Sequence, residues 1–233
     1  MTILAPAEDA SPARWLRRSL TTFGKSVNSL VPAGFDTYVR VFHPGQQNGR
    51  RLRWAEIAAQ HGRVAHAGMQ LGALVGDVRV EDSVHEEFFE RVPGELPLDL
   101  AAELARTLER HTDAPTRCWF AVWYGWHASL PDLVRSAPTF ALPKREYHLL
   151  AGPVAAGAEP VGTSWPQTAN LWWPDDHAWC VATEIYAKST YVGCSRACAD
   201  ELLAQEELEA YEIDPATGID RFSDEINPPP SRS

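Results

Sequence analysis

Cys118-Trp119-Phe120-Ala121-Val122-Trp123-Tyr124-Gly125-Trp126 carries apolar or aromatic side chains on both of its alternating faces. Successive side chains of a strand point to opposite sides, so a run without a polar side suits a central strand covered on both faces. Reading outward, Tyr147 to Leu150 offers a second strand, and Leu171 to Trp173 with Ala178 to Tyr186 offer two more. The last two are joined at Pro174-Asp175-Asp176-His177, residues suited to a type I turn, which predicts a hairpin. Thr190 to Val192 reads as a short strand, Gly193 as a turn, and Ser195 as the N-cap of a helix carrying Cys198, Ala199, Leu202 and Leu203. Leu208 to Ile213 is the expected last strand, and Thr37 to Phe42 an earlier one ended by His43-Pro44-Gly45.

The clearest helix follows Pro97, where Leu100, Leu104 and Leu108 form an i, i+4 row beside Ala101 and Ala105. Asp99 in its first turn and Arg110 in its last complement the helix dipole. Ser11-Pro12 opens a first amphipathic helix in which Leu16, Leu20, Phe23 and Val27 recur at helical spacing. Trp54, Ile57, Ala58 and His61 mark a short helix after a polar loop over Gln46 to Arg51, and Val84 to Arg91 is predicted helical through Phe88 and Phe89. Gly62 to Asp82 is poorly patterned, and no internal repeat is present. The expected fold is α+β: a mostly antiparallel, tryptophan-rich sheet of about five or six strands packed with helices. Residues 1–222 read as a single globular domain with a sub-boundary near 93–97, and residues 223–233, around Pro228-Pro229-Pro230, as a flexible tail.

The chain has 233 residues and a formal charge of −10, which opposes a nucleic-acid partner because such a footprint needs clustered Lys and Arg. Its longest basic cluster is Arg50, Arg51 and Arg53. Only Lys25, Lys144 and Lys188 are lysines while Arg, Ala and Pro abound, the codon bias of a GC-rich bacterial genome. No apolar run has the length of a signal peptide or approaches a membrane span, so a cytoplasmic protein without a membrane partner is expected. Cys118, Cys180, Cys194 and Cys198 then read as reduced thiols.

Seven of the nine tryptophans fall between Trp119 and Trp179. Their ordinary role is to pack the sheet; their alternative is to stack on sugars, bases or a partner protein. Trp172 and Trp173 are adjacent on one strand and so point to opposite faces, which predicts that at least one is exposed. Gly193-Cys194-Ser195-Arg196-Ala197 superficially matches a nucleophile elbow, with Ala in place of the last Gly. The elbow's histidine follows its serine, whereas the last histidine here is His177, so a serine hydrolase is disfavoured. A thiolate at Cys194, beside a helix N-terminus and Arg196 with His177 as base, is the alternative catalytic reading, and Glu184 in an apolar strand is a candidate acid or base. Cys194 and Cys198 with Cys180 and His177 lack the paired spacing of a zinc framework, so no metal and no cofactor is expected. Gly24-Lys25-Ser26 fails as a phosphate loop because Ser19 stands where its first glycine belongs.

Three segments carry a resemblance: Leu30-Val31-Pro32-Ala33-Gly34-Phe35 running into Arg40-Val41-Phe42-His43-Pro44; Cys118 to Trp126; and Leu171 to Trp179 with Tyr191-Val192-Gly193. Together they resemble a family of uncharacterised actinobacterial proteins, which implies no activity. Leu96-Pro97 opening a helix, followed by a strand ending in Tyr124-Gly125, is similar also to the SUKH superfamily of α+β immunity and interaction proteins. With no complete catalytic constellation, the sequence favours a non-catalytic binding protein contacting a protein partner or small ligand through Trp172, Trp173, Asp175, Asp176 and Tyr186. A small thiol-dependent hydrolase or transferase using Cys194 with His177 is the second reading.

Overall fold

A computed structural model describes residues 4–76, 95–162 and 167–227. The helix expected over Val84 to Arg91, together with Trp165, lies outside them. Cys118–Trp123 forms β5, paired on one side with β7 (Arg145–Gly152) and on the other with β8 (Leu171–Pro174). β8 turns back into β9 (Cys180–Thr183), which pairs with β10 (Ser189–Cys194); β2 (Thr37–Phe42) and β11 (Glu209–Glu212) follow. At the other edge β1 (Ala5–Pro6) and β6 (Thr139–Leu142), which follows the one-turn helix α5 (Asp132–Arg135), both border β7. Among the described residues all pairings are antiparallel, and the sheet has nine strands. It exceeds the expected five or six because β1 and β6 are too short to show an alternating pattern.

Both faces of this sheet are covered, which explains the two-sided apolar run in β5. Phe120, Val122, Leu150, Trp172, Val181 and Val192 share one face with Leu100, Leu104 and Leu108 of α4 (Leu98–Leu108) and with Cys198, Ala199 and Leu202 of α6 (Arg196–Leu203). Ala121, Leu149, Trp173, Cys180, Ala182 and Tyr191 share the other with Leu16 of α1 (Arg14–Ser19) and with Val27 and Val31. The adjacent tryptophans therefore do point to opposite faces, yet neither is exposed: Trp172 is 1% and Trp173 0% accessible. Trp172 stacks on Phe120 and meets Trp179 edge-on, while Trp173 meets Trp15 and Phe140 edge-on. Strand alternation fixes which way each indole points, and a covering layer on each face buries both.

The N-terminal helix is shorter than its periodicity suggests. The chain leaves helical geometry at Leu20, and Gly24 adopts φ +65°, so Phe23 and Val27 do not continue the row begun by Leu16. The supposed polar loop over Gln46 to Arg51 is a ribbon of β3 (Gly45–Gln47) and β4 (Arg50–Leu52), turned by Asn48 and Gly49, both at positive φ. It leads into α2 (Trp54–Gln60), which with α3 (Leu71–Val75) buries Trp54, Ile57, Met69 and Leu74 against Phe42. Gly193 lies inside β10, paired on both sides, and is not a turn; it is a glycine because Phe35 and Val31 fill the space a Cβ would need. Ser195 caps α6 as expected, its hydroxyl accepting from Cys198 N at 3.3 Å.

Residues 223–227, expected to fray, are tied down by polar contacts in place of apolar ones. The Asp224 carboxylate accepts from Gln70 N and Asn227 N and meets His66, and the Asn227 amide bonds both N and O of Val64. Among the described residues, no helix is long and apolar enough to cross a membrane.

Candidate functional site

The β8–β9 hairpin places Asp175, Asp176 and His177 at one end of the sheet. Asp176 is a builder of the turn: Oδ1 accepts from Ala178 N, and Oδ2 from the Thr112 hydroxyl and Asp113 N. Burial opposes its ionisation, but these hydrogen bonds prevail and hold the carboxyl below its ordinary range. Asp175 faces the neighbouring strand, where Oδ1 accepts from Trp119 Nε1 at 3.0 Å and Oδ2 from Arg117 at 3.4 Å. His177, at φ +56°, lies flat on Trp15 with ring centroids 4.3 Å apart; burial keeps the imidazole neutral to lower pH than usual despite Asp175 and Asp176.

Trp119 stands at the end of β5, where the sheet stops and the N-terminal segment crosses. An open cleft of about 730 Å³ lies here, between residues 6–14 and the ends of β5, β7 and the hairpin. Trp119 is half-buried and packs inward on the Trp173 face of the core, and Asp175 fixes the orientation of its ring. Glu8, Asp9 and Arg14 on the N-terminal side and Arg117 and Asp175 on the sheet side supply charges of both signs. Asp9 is engaged locally, accepting from Ser11 N at 2.6 Å.

Tyr186, proposed from sequence with the aspartates, is separated from them by the length of β9. It is 71% accessible at the tip of a turn closed by Ala187 N donating to Glu184 O. Glu184 follows the end of β9 and does not sit within a strand; its carboxylate accepts from the Arg145 guanidinium and from Tyr186 N. The Arg145 guanidinium in turn lies 4.4 Å from the Phe23 ring centroid, 5.8 Å from Trp123 and 5.6 Å from Tyr186. Glu184 is thus a partner that fixes an arginine among aromatic rings, and its carboxylate is already committed.

The thiol constellation does not assemble. Cys194 is wholly buried on the α4–α6 face, whereas His177 rests on Trp15 on the opposite face. The neighbouring Cys194 thiol together with burial pushes the Cys198 thiol up. Burial does the same to Cys118 and Cys180. Cys180 faces the other side of the sheet from Cys194, and among the described residues no three His, Cys, Asp or Glu groups gather as a metal site.

Sequence reasoning missed the position of Trp119 at the wall of this cleft, having assigned it to the core with its neighbours. Thr116 and Arg117 just before it were the available signal, since a strand's first residues lie where the covering layers thin. It also missed a buried polar chain across β9, β10 and β2, in which the Thr183 and Thr190 hydroxyls lie 2.7 Å apart and Thr190 lies 2.8 Å from His43 Nε2. Burial, reinforced by Lys188 and Arg40, lowers the His43 pKa to about 3. Compared with known proteins, this antiparallel α+β chain matches no family model, no curated protein and no solved structure.

Proposed function

We propose that the chain is a cytosolic, non-catalytic binding protein whose contact site is the cleft over Trp119 beside the β8–β9 hairpin. The observation that carries this reading is the partly exposed indole of Trp119, oriented by Asp175, in an open cleft bordered by charges of both signs. A cleft of several hundred Å³ has the volume of a small-ligand site, and its polar, open wall suits a polar ligand. The residues that would be needed for thiol catalysis lie apart on opposite faces, which favours binding over chemistry. The likeness of Leu96-Pro97 and Tyr124-Gly125 to interaction proteins of the SUKH superfamily points the same way. The sequence-derived contacts Asp175 and Tyr186 divide between two ends of the sheet, and Asp175 belongs to this site. A ligand screen read by the indole N–H resonances, with Trp119 assigned through Trp119→Phe, tests the proposal. Hits should collect on the Trp119 resonance, and hits that move only other indoles would refute it.

A further inference from the structure

Resting on that reading, we infer that the Trp119 cleft takes a saccharide, presented as a neutral, hydroxyl-bearing ring. Charge is the first argument. Of the carboxylates at the cleft, Asp9 accepts from Ser11 N and Asp175 accepts from Trp119 and Arg117. Glu8 and Arg14 add one anion and one cation, and the Arg14 charge also acts on Asp9. The five charged groups of the wall, three carboxylates and two guanidiniums, are of mixed sign and nearly cancel, so neither a phosphate nor a cation meets a field of one sign and a ligand of no net charge suits it.

Hydrogen-bond chemistry is the second argument. A carboxylate only accepts and a guanidinium only donates, so a wall offering both matches hydroxyl groups, which do either. The Ser11 and Thr116 residues of the same wall add hydroxyls of their own. Geometry is the third. The cleft offers a single aromatic surface, Trp119, and among the described residues no second ring faces it; its other apolar walls include Pro6, Pro12 and Ala151. One indole face against the C–H side of a sugar ring needs no opposing ring, whereas a planar base gains most when stacked on both sides. The open form of the cleft admits one end of an oligosaccharide chain.

The test is a glycan array of neutral oligosaccharides probed with the whole chain and with Trp119→Ala and Arg14→Ala, followed by titration of each hit against the indole N–H resonances. Binding should be saturable, move the Trp119 resonance, fall by about tenfold or more in Trp119→Ala and change little between low and moderate salt. Arg14 is exposed, so Arg14→Ala keeps the test meaningful if the indole variant misfolds; it should weaken the same glycans. AMP and free amino acids are titrated in parallel. If one of these moves Trp119 and no glycan does, the saccharide inference is wrong and the cleft remains the binding site. If glycan binding survives in both variants, the inference is wrong as well. If nothing moves Trp119, the cleft reading falls with it.

Discussion

Replacing Gly193 by alanine tests whether packing, and not reactivity, put a glycine before Cys194-Ser195. A Cβ at residue 193 would lie 2.4 Å from Phe35 Cδ2, 2.7 Å from Val31 Cγ1 and 3.0 Å from Phe35 Cε2. Ordinary carbon contacts sit at about 3.5–4.0 Å, so both neighbours must retreat by roughly an ångström. Val31 is fully buried and cannot retreat freely; Phe35 is only partly buried and can swing outward by giving up its packing on Tyr38. Overpacking of this kind costs about 1–3 kcal/mol. We expect about 2 kcal/mol, seen as a lower denaturant midpoint with unchanged slope and a fall in Tm of roughly 4–8 °C. Phe35→Ala in the same chain should recover part of the loss, with a coupling of about 1 kcal/mol between the two sites. Gly193→Ala within about 0.5 kcal/mol of the parent, or strict additivity with Phe35→Ala, would refute the argument.

Other consequences separate the core tryptophans, the thiols and the buried imidazole. Trp172→Ala should destabilise the fold by about 3–5 kcal/mol, and Trp119→Ala by clearly less, in chemical denaturation; equal losses would mean Trp119 is also a core residue. All four cysteines are buried, so the native protein should resist alkylation at neutral pH and take up four equivalents once unfolded. Fast native labelling of Cys194 would revive the thiol chemistry. His43 remains neutral down to about pH 3 in the fold but takes a proton near 6.5 once unfolded. Its contribution is therefore intact above about pH 6.5, shrinks as pH falls toward 3, and reaches a loss of about 4–5 kcal/mol at most. His43→Gln should flatten the stability profile across that window, and an unchanged slope would show that other groups set it.

The sheet was legible in sequence where burial is two-sided and the strand is long. β2, β5 and β10, the β8–β9 hairpin and the helix from Leu98 to Leu108 all follow from apolar pattern and turn chemistry. What escaped was local or tertiary in origin. Asn48-Gly49 is a strong hairpin signal, but the short flanking segments Gly45–Gln47 and Arg50–Leu52 are too polar to read as strands. The early end of the first helix rested on Gly24, whose positive φ outweighed the spacing of Phe23 and Val27. At the site, Asp175 was legible as a turn residue near an aromatic strand, but its partner was not. Trp119, Arg14 and Glu8 meet only because β1 lies beside β7 and carries the N-terminal segment across the end of β5. Trp172 and Trp173 misled because strand alternation tells which way a side chain points and not whether that side is covered.

The claim that matters most is that the ligand site is the cleft over Trp119. The direct measurement is a two-dimensional spectrum of the nine indole N–H groups recorded through a ligand screen. The Trp119 resonance, assigned through Trp119→Phe, should shift in a saturable way while those of the buried Trp172, Trp173 and Trp179 stay in place, and affinity measured without the indole signal should fall in Trp119→Ala. Ligands that bind tightly without moving Trp119 would place the site elsewhere and contradict the account.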